Sequence, residues 1–270
     1  RSFIAGKLTE AQRLSDRLST RQKADLKFYL NEYALELDQL PDAKWKLLKN
    51  EQAELALLQP AFHYRDSLFR CRINPILGLN VTANENGTII KRWAGVEFQG
   101  MIGKHVSVYA SLRDLSNYGD TLSSYQYLNL YPGYEYKEAS YGGDYSDFRG
   151  GMKVSNNWGS VGLIKDNIVW GDNYHGSNIL SGRAPSFPMI TLHLQPVKWF
   201  ELNYFHAWLV SNVVDSTYYY TDNQDNIYYR PANKFMAANM FTFTPVRRLK
   251  ISFGNSIIYA ERNIQAAYLI

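Results

Sequence analysis

The residues best suited to bind a ligand are tyrosines. Thirteen of the 21 lie in two stretches of little regular pattern: Tyr118, Tyr125, Tyr127, Tyr131, Tyr134, Tyr136, Tyr141 and Tyr145, then Tyr218, Tyr219, Tyr220, Tyr228 and Tyr229. Tyrosine offers a flat apolar ring and a hydroxyl at low entropic cost. That combination suits stacking on a sugar while bonding its hydroxyls. The same rings would equally serve to pack loops against one another. Tyr134, Tyr136 and Tyr219 are the candidates drawn from these stretches. A second segment runs from Trp170 to Ser181 and is rich in Gly and hydrogen-bonding residues. Asp172 and Asn173 favour turns, and glycines permit positive φ. It predicts a folded loop that acts as a structural constriction or, through Trp170, Asp172 and Tyr174, as part of a saccharide site.

Catalytic chemistry finds little support. The chain has no serine elbow flanked by glycines, no phosphate loop and no paired-histidine zinc helix. His63, His105, His175, His193 and His206 show no metal-ligand spacing. Glu97, Asp144 and Asp147 could supply a hydrolytic carboxylate pair, but carboxylates on the polar face of a sheet more simply line water. The expectation is a non-enzymatic protein with no cofactor and no metal site. The single Cys71 excludes internal disulfides and a cysteine cage. A net charge of +4 is too small to imply nucleic acid. No stretch of about 18 apolar residues provides a spanning helix. The sequence opens on Arg1 with no signal-like segment, which predicts a chain trimmed before this point.

Two kinds of element must position these residues. Up to about residue 65 the periodicity is helical. Thr9 reads as the cap of one helix and Thr20 as the cap of a second running to about Leu37. Leu26, Leu30, Tyr33 and Leu37 form its apolar stripe. Pro41 breaks the pattern, and a third helix is predicted from Asp42 to about Leu58. Beyond residue 70 the period becomes two, predicting nine strands: 72–83, 88–100, 105–114, 146–155, 159–166, 187–195, 199–211, 234–244 and 248–260. The domain reading is a helical head over 1–65 and a stranded body over 66–270. Glu97, Arg113, Asp147, Arg149 and Lys153 fall on the polar parity of their strands.

Connection lengths decide the architecture. Short turns follow the second, fourth, sixth and eighth strands; long loops, 115–145, 167–186 and 212–233, follow the third, fifth and seventh. In an antiparallel meander, alternate connections lie at opposite ends, so the turns share one end and the long loops the other. That asymmetry is the pattern of an outer-membrane β-barrel. Phe200 and Trp208 on one parity would be separated by roughly 20 Å along the barrel axis, near the roughly 25 Å between aromatic girdles. His206 shares that parity and requires either a bulge or protein packed on that face. A repeat, Leu192-His193-Leu194-Gln195-Pro196-Val197-Lys198 against Phe241-Thr242-Phe243-Thr244-Pro245-Val246-Arg247, predicts two turns built alike. An odd strand number predicts a segment of a larger barrel of roughly 16 to 18 strands; a miscount of a barrel of eight or ten is the alternative. The fold class expected is an antiparallel up-and-down transmembrane β-barrel, incomplete in this chain, preceded by short helices.

The stretch from Arg149-Gly150-Gly151 through Trp170-Gly171 to Leu180-Ser181-Gly182-Arg183-Ala184-Pro185-Ser186-Phe187-Pro188 resembles the Wzi-like capsule-assembly outer-membrane proteins, including their Bacteroidetes relatives. Asn239 and Asn255 stand where that pattern leads us to expect a histidine and a glutamate. The resemblance implies a barrel in the bacterial outer membrane, helices at its periplasmic end and external loops that hold surface polysaccharide. The partners it implies are outer-membrane lipid, capsular or related polysaccharide and other envelope proteins. The alternative is a diffusion channel or an accessory of a secretion or gliding-motility machine.

Overall fold

The computed structural model describes residues 2–39, 46–49, 52–56, 61–85, 87–119, 137–139, 142–171, 177–182, 184–209, 211, 213–260, 265 and 268. Among the described residues two α-helices, α1 (Ser2–Arg13) and α2 (Thr20–Glu32), precede seventeen strands. These are β1 (Lys46–Lys49), β2 (Ala53–Ala56), β3 (Phe62–Arg65), β4 (Phe69–Asn84), β5 (Gly87–Ile102), β6 (Val106–Gly119), β7 (Lys137–Ala139), β8 (Gly142–Ser155) and β9 (Gly159–Asp166). They continue with β10 (Val169–Trp170), β11 (Leu180–Ser181), β12 (Phe187–Val197), β13 (Phe200–Leu209), β14 (Val214–Thr221), β15 (Ile227–Pro231), β16 (Lys234–Val246) and β17 (Leu249–Ala260). The chain divides into two compact units, with the change between Phe148 and Arg149 inside β8.

The first unit holds the helices and the strand order β1-β2-β3-β4-β5-β6-β8, with β7 on β8. Its described ladders are antiparallel, and β4 pairs with β5 from Phe69↔Ile102 to Asn84↔Gly87. Ser19, not Thr20, caps α2: its hydroxyl accepts from Gln22 N while Gln22 Oε1 accepts from Ser19 N at 2.9 Å. Thr9 lies inside α1, where its hydroxyl donates to the Ala5 carbonyl, so it caps nothing. α2 ends at Glu32, and a turn carries Ala34 and Leu35 into full burial. The third predicted helix is wrong, because 46–49 and 53–56 are strands paired to each other and, through β2, to β3. Lys-Leu-Leu-Lys and Ala-Glu-Leu-Ala carry good helix formers, but the open hydrogen-bonding edge of β3 outweighs that weak preference.

The second unit has the order β8-β9-β12-β13-β16-β17, with separate hairpins β10–β11 and β14–β15. Its core is Met189, Phe205, Ala207 and Ala238, with Trp170, Leu180 and Phe187 packed against it. The opposite face exposes Val161, Leu163, Ile190, Ile251 and Phe253. All nine predicted strands are present, several longer than their hydrophobic alternation. β6 continues past Leu115 because its backbone keeps pairing with β5 as far as Ile89↔Gly119. Tyr118 and Tyr145 are therefore strand residues and not loop residues. The sheet is mainly antiparallel meander, and among the described residues its order ends at β1 and β17 without closing.

His206 is accommodated by protein and not by a bulge, since the β13–β16 register runs unbroken from Phe200↔Phe243 to Leu209↔Lys234. Its ring is 2% exposed. Nδ1 lies 3.1 Å from the Tyr204 hydroxyl and Nε2 lies 2.9 Å from the Tyr259 hydroxyl. Both ring nitrogens are satisfied, so a neutral imidazole costs little on this face, which also carries Asn239 and Asn255.

Candidate functional site

Within the predicted loop 212–233 the described residues form a two-stranded ribbon, not an irregular excursion. β14 and β15 pair as Tyr219↔Tyr229, Tyr220↔Tyr228 and Thr221↔Ile227. Asp222 closes the tip: Oδ1 accepts from Gln224 N at 2.8 Å and Asn226 N at 3.0 Å, and Oδ2 accepts from Asn226 Nδ2. These bonds hold the Asp222 carboxyl below the usual carboxylate range, the Asn226 side chain contributing most. Asp225 takes φ +59°, a value Asp tolerates in turns. At the ribbon's base Asp215 accepts from Thr217 Oγ1 and N, and its pKa is lowered in the same way.

Strand alternation divides the four tyrosines between two sides. Tyr220 and Tyr228 stack with centroids 5.3 Å apart, and the Arg230 guanidinium lies 5.8 Å from the Tyr220 ring. Tyr219 and Tyr229 form the other pair, at 6.3 Å. The four remain between 45% and 63% exposed. Cross-strand contact orders these rings without burying them, so ring surface is left open to a ligand.

Trp170 is placed differently. It ends β10, opposite Leu180 of β11, and packs edge-on against Phe205 with centroids 5.1 Å apart. The Ser177 hydroxyl donates to the Trp170 carbonyl. Asn167 Nδ2 donates to the Gly182 and Ala184 carbonyls, each at 2.8 Å. The described residues of the 167–186 segment thus fold onto the core of their unit, with Ile168, Trp170 and Leu180 packed against it. Tyr134, Tyr136, Asp172 and Tyr174 lie outside the described residues.

The polar residues fall as their parity requires. In the first unit Glu97 pairs with Ser111, so Glu97, Ser111 and Arg113 share a face. Ser146 donates to Asp114 on the opposite face, which turns Asp147 to the Arg113 side, where it is 6% exposed. In the second unit Arg149 Nη1 lies 3.9 Å from Asp166, and Lys153, opposite Gly162, is exposed. His193 Nδ1 lies 3.0 Å from Asn203 Oδ1 and 3.6 Å from Glu201. Among the described residues no group of three or more His, Cys, Asp or Glu side chains could hold a metal.

The sequence reading overlooked a row of buried charge in the first unit. Register places Glu54, His63, Arg72 and Gln99 side by side across β2 to β5. Arg72 donates through Nη1 to the Glu32 carbonyl at 2.8 Å and through Nη2 to Glu32 Oε1 at 2.9 Å. Its Nη2 is 3.8 Å from Glu97, which accepts from Gln99 Nε2. A cation thus meets the C-terminal end of α2, where the helix dipole favours it. His63, 2% exposed in the four-residue β3, has its pKa lowered to about 4, by burial first and by Arg72 second. The signal was the alternation of Arg70, Arg72 and Asn74 with Cys71, Ile73 and Pro75. Nearby, a cleft of about 630 Å³ is lined by Glu36, Asp38, Arg65, Asp66, Arg70 and Lys104. Asp38 accepts from Arg65 at 2.8 Å and faces Arg70 at 3.3 Å.

Comparison with family models, curated proteins and solved structures returned no match to this chain.

Proposed function

We propose that the chain is part of an outer-membrane β-barrel whose long-loop end holds surface polysaccharide without catalysing a reaction. β4–β6, β8, β9, β12, β13, β16 and β17 would cross the bilayer, their exposed aliphatic side chains facing lipid. The helices and β1–β3 lie at the turn end of the first unit and would be periplasmic. The observation that carries the saccharide role is the β14–β15 ribbon, four tyrosines displayed on two sides and left about half exposed. Stacking of a nucleic-acid base on an aromatic side chain is worth about 1–3 kcal/mol by truncation, and we take the lower end, ~1 kcal/mol per ring, for a sugar.

The test is retention of polysaccharide by cells carrying Tyr219→Ala with Tyr229→Ala. We expect about a tenfold or greater loss of retained polymer while the protein still reaches the envelope in normal amount. Unchanged retention by the correctly inserted double variant, and by Tyr220→Ala with Tyr228→Ala, would reject the ribbon as the binding element.

A further inference from the structure

We propose that the turn end of the second unit is a binding surface for anionic phospholipid headgroups, built by the repeated proline turn and its neighbouring tryptophans. The inference rests on the membrane reading above. Strand order β8-β9-β12-β13-β16-β17 puts the turns β8–β9, β12–β13 and β16–β17 side by side at one end. At about 4.8 Å per strand, successive turns are roughly 10 Å apart.

The two copies of the repeat have the same geometry. In β12 the register slips between Leu194 and Val197, and in β16 it slips between Phe243 and Val246. Pro196 and Pro245 sit in these slips, where a missing N–H breaks no ladder bond. The residue before each proline donates its N–H to the tryptophan of the preceding turn: Gln195 N to Trp158 O at 2.6 Å, and Thr244 N to Trp199 O at 2.8 Å. The residue two places beyond each proline is basic, Lys198 or Arg247, and Arg248 follows the second. Each copy of the motif therefore holds the backbone of a tryptophan and carries a basic residue at the same turn end.

Their surroundings suit a bilayer boundary. Trp158 and Trp199 are each 56% exposed. Trp199 stacks on Phe243 at 6.2 Å, and Phe243 stacks on Phe253 at 5.6 Å, giving an aromatic patch beside exposed Val246 and Leu249. Such rings settle at the headgroup level. Lys198, Arg247 and Arg248 are exposed, and none has an ion pair among the described residues. No acidic residue occurs in these three turns. Glu201, the nearest carboxylate in sequence to Lys198, is engaged elsewhere: it accepts from Asn203 at 2.9 Å and lies 3.6 Å from His193. Cations without an ion pair among the described residues, set beside interfacial indoles, are complementary to an anionic lipid surface.

The experiment titrates the folded chain with phosphatidylcholine vesicles, and with vesicles in which part of the lipid is phosphatidylglycerol, reading tryptophan emission. Each basic residue near an anionic surface favours binding about fivefold, so three predict a preference of about a hundredfold at low salt. Lys198→Gln, Arg247→Gln and Arg248→Gln combined should abolish the preference and leave binding to neutral vesicles intact. That retained binding also shows that the variant has folded. Lys198→Arg should keep the preference, and added salt should shrink it. Equal binding of the unmodified chain to both vesicles would overturn the headgroup site and leave the membrane reading standing. Binding to neither would overturn both.

Discussion

Replacing Arg72 with Met should detach the end of α2 while sparing the strands. The guanidinium is 3% exposed and makes two short bonds to Glu32, one to its carbonyl and one to its carboxylate. Charge-assisted bonds are each worth about 1.5–3 kcal/mol when buried. The full sum is not lost. Glu32 is 43% exposed and recovers water once the cation is gone, and Glu97, 28% exposed, keeps its bond from Gln99. Met fills much of the volume that Arg occupied. We therefore take about 2 kcal/mol, an acceleration of roughly thirtyfold in local opening. Hydrogen exchange measured peptide by peptide should show this over Thr20–Glu32, with β4 and β5 unchanged. Arg72→Lys should give an intermediate value, because an ammonium is a point charge without the planar fork that matches both acceptors. Exchange over α2 that is indifferent to Arg72→Met would refute the assignment of this ion pair as the tie between helix and sheet. Uniform acceleration across the unit would show that Arg72 supports the sheet itself.

His63 sets a pH dependence of known sign. Its folded-state pKa, about 4, lies below the ordinary 6.5, so above pH 6.5 both states are neutral there and stability is complete. Between pH 6.5 and 4 the unfolded chain takes up a proton that the folded chain refuses, removing about 3 kcal/mol in total. His63→Gln should flatten this part of the stability curve measured by denaturant titration, and an unchanged slope would show that other groups carry it. Gly78→Val should destabilise the β4–β5 hairpin by several kcal/mol, because a Cβ at 78 overlaps the Trp93 indole that covers the glycine from the paired strand. A thermal midpoint within a few degrees of the original would mean that the ring simply moves aside. Gly78→Val with Trp93→Val, which frees that space, should recover part of the loss.

The nine long strands and their alternation of tight and ample connections were legible in the residues. Period-two patterning and turn residues are local, and an antiparallel meander asks for little more. The same locality misled at 42–58. Lys46 to Lys49 and Ala53 to Ala56 are rich in good helix formers, yet they pair as strands beside the edge of β3. Proline spacing announced a repeat in the sequence. That Gln195 and Thr244 bind the carbonyls of Trp158 and Trp199 depends on strands distant in the chain coming together.

Side-chain chemistry divides along the same line. Parity alone puts Glu97, Arg113, Asp147, Arg149 and Lys153 on the polar sides of their strands. Tyr219 was a candidate from composition, but only the folded ribbon shows Tyr219 and Tyr229 on one side and Tyr220, Tyr228 and Arg230 on the other. The sequence left Trp170 as part of a folded constriction or of a saccharide site, and the fold packs it against Phe205. His206 posed a conflict that the sequence stated without resolving. Two tyrosine hydroxyls, one from two residues before it and one from β17, settle it. The sequence by itself determined periodicity, and with it strands, faces and turns. Tertiary structure decided which charges are buried and which rings stay open, because burial depends on partners brought from elsewhere in the chain.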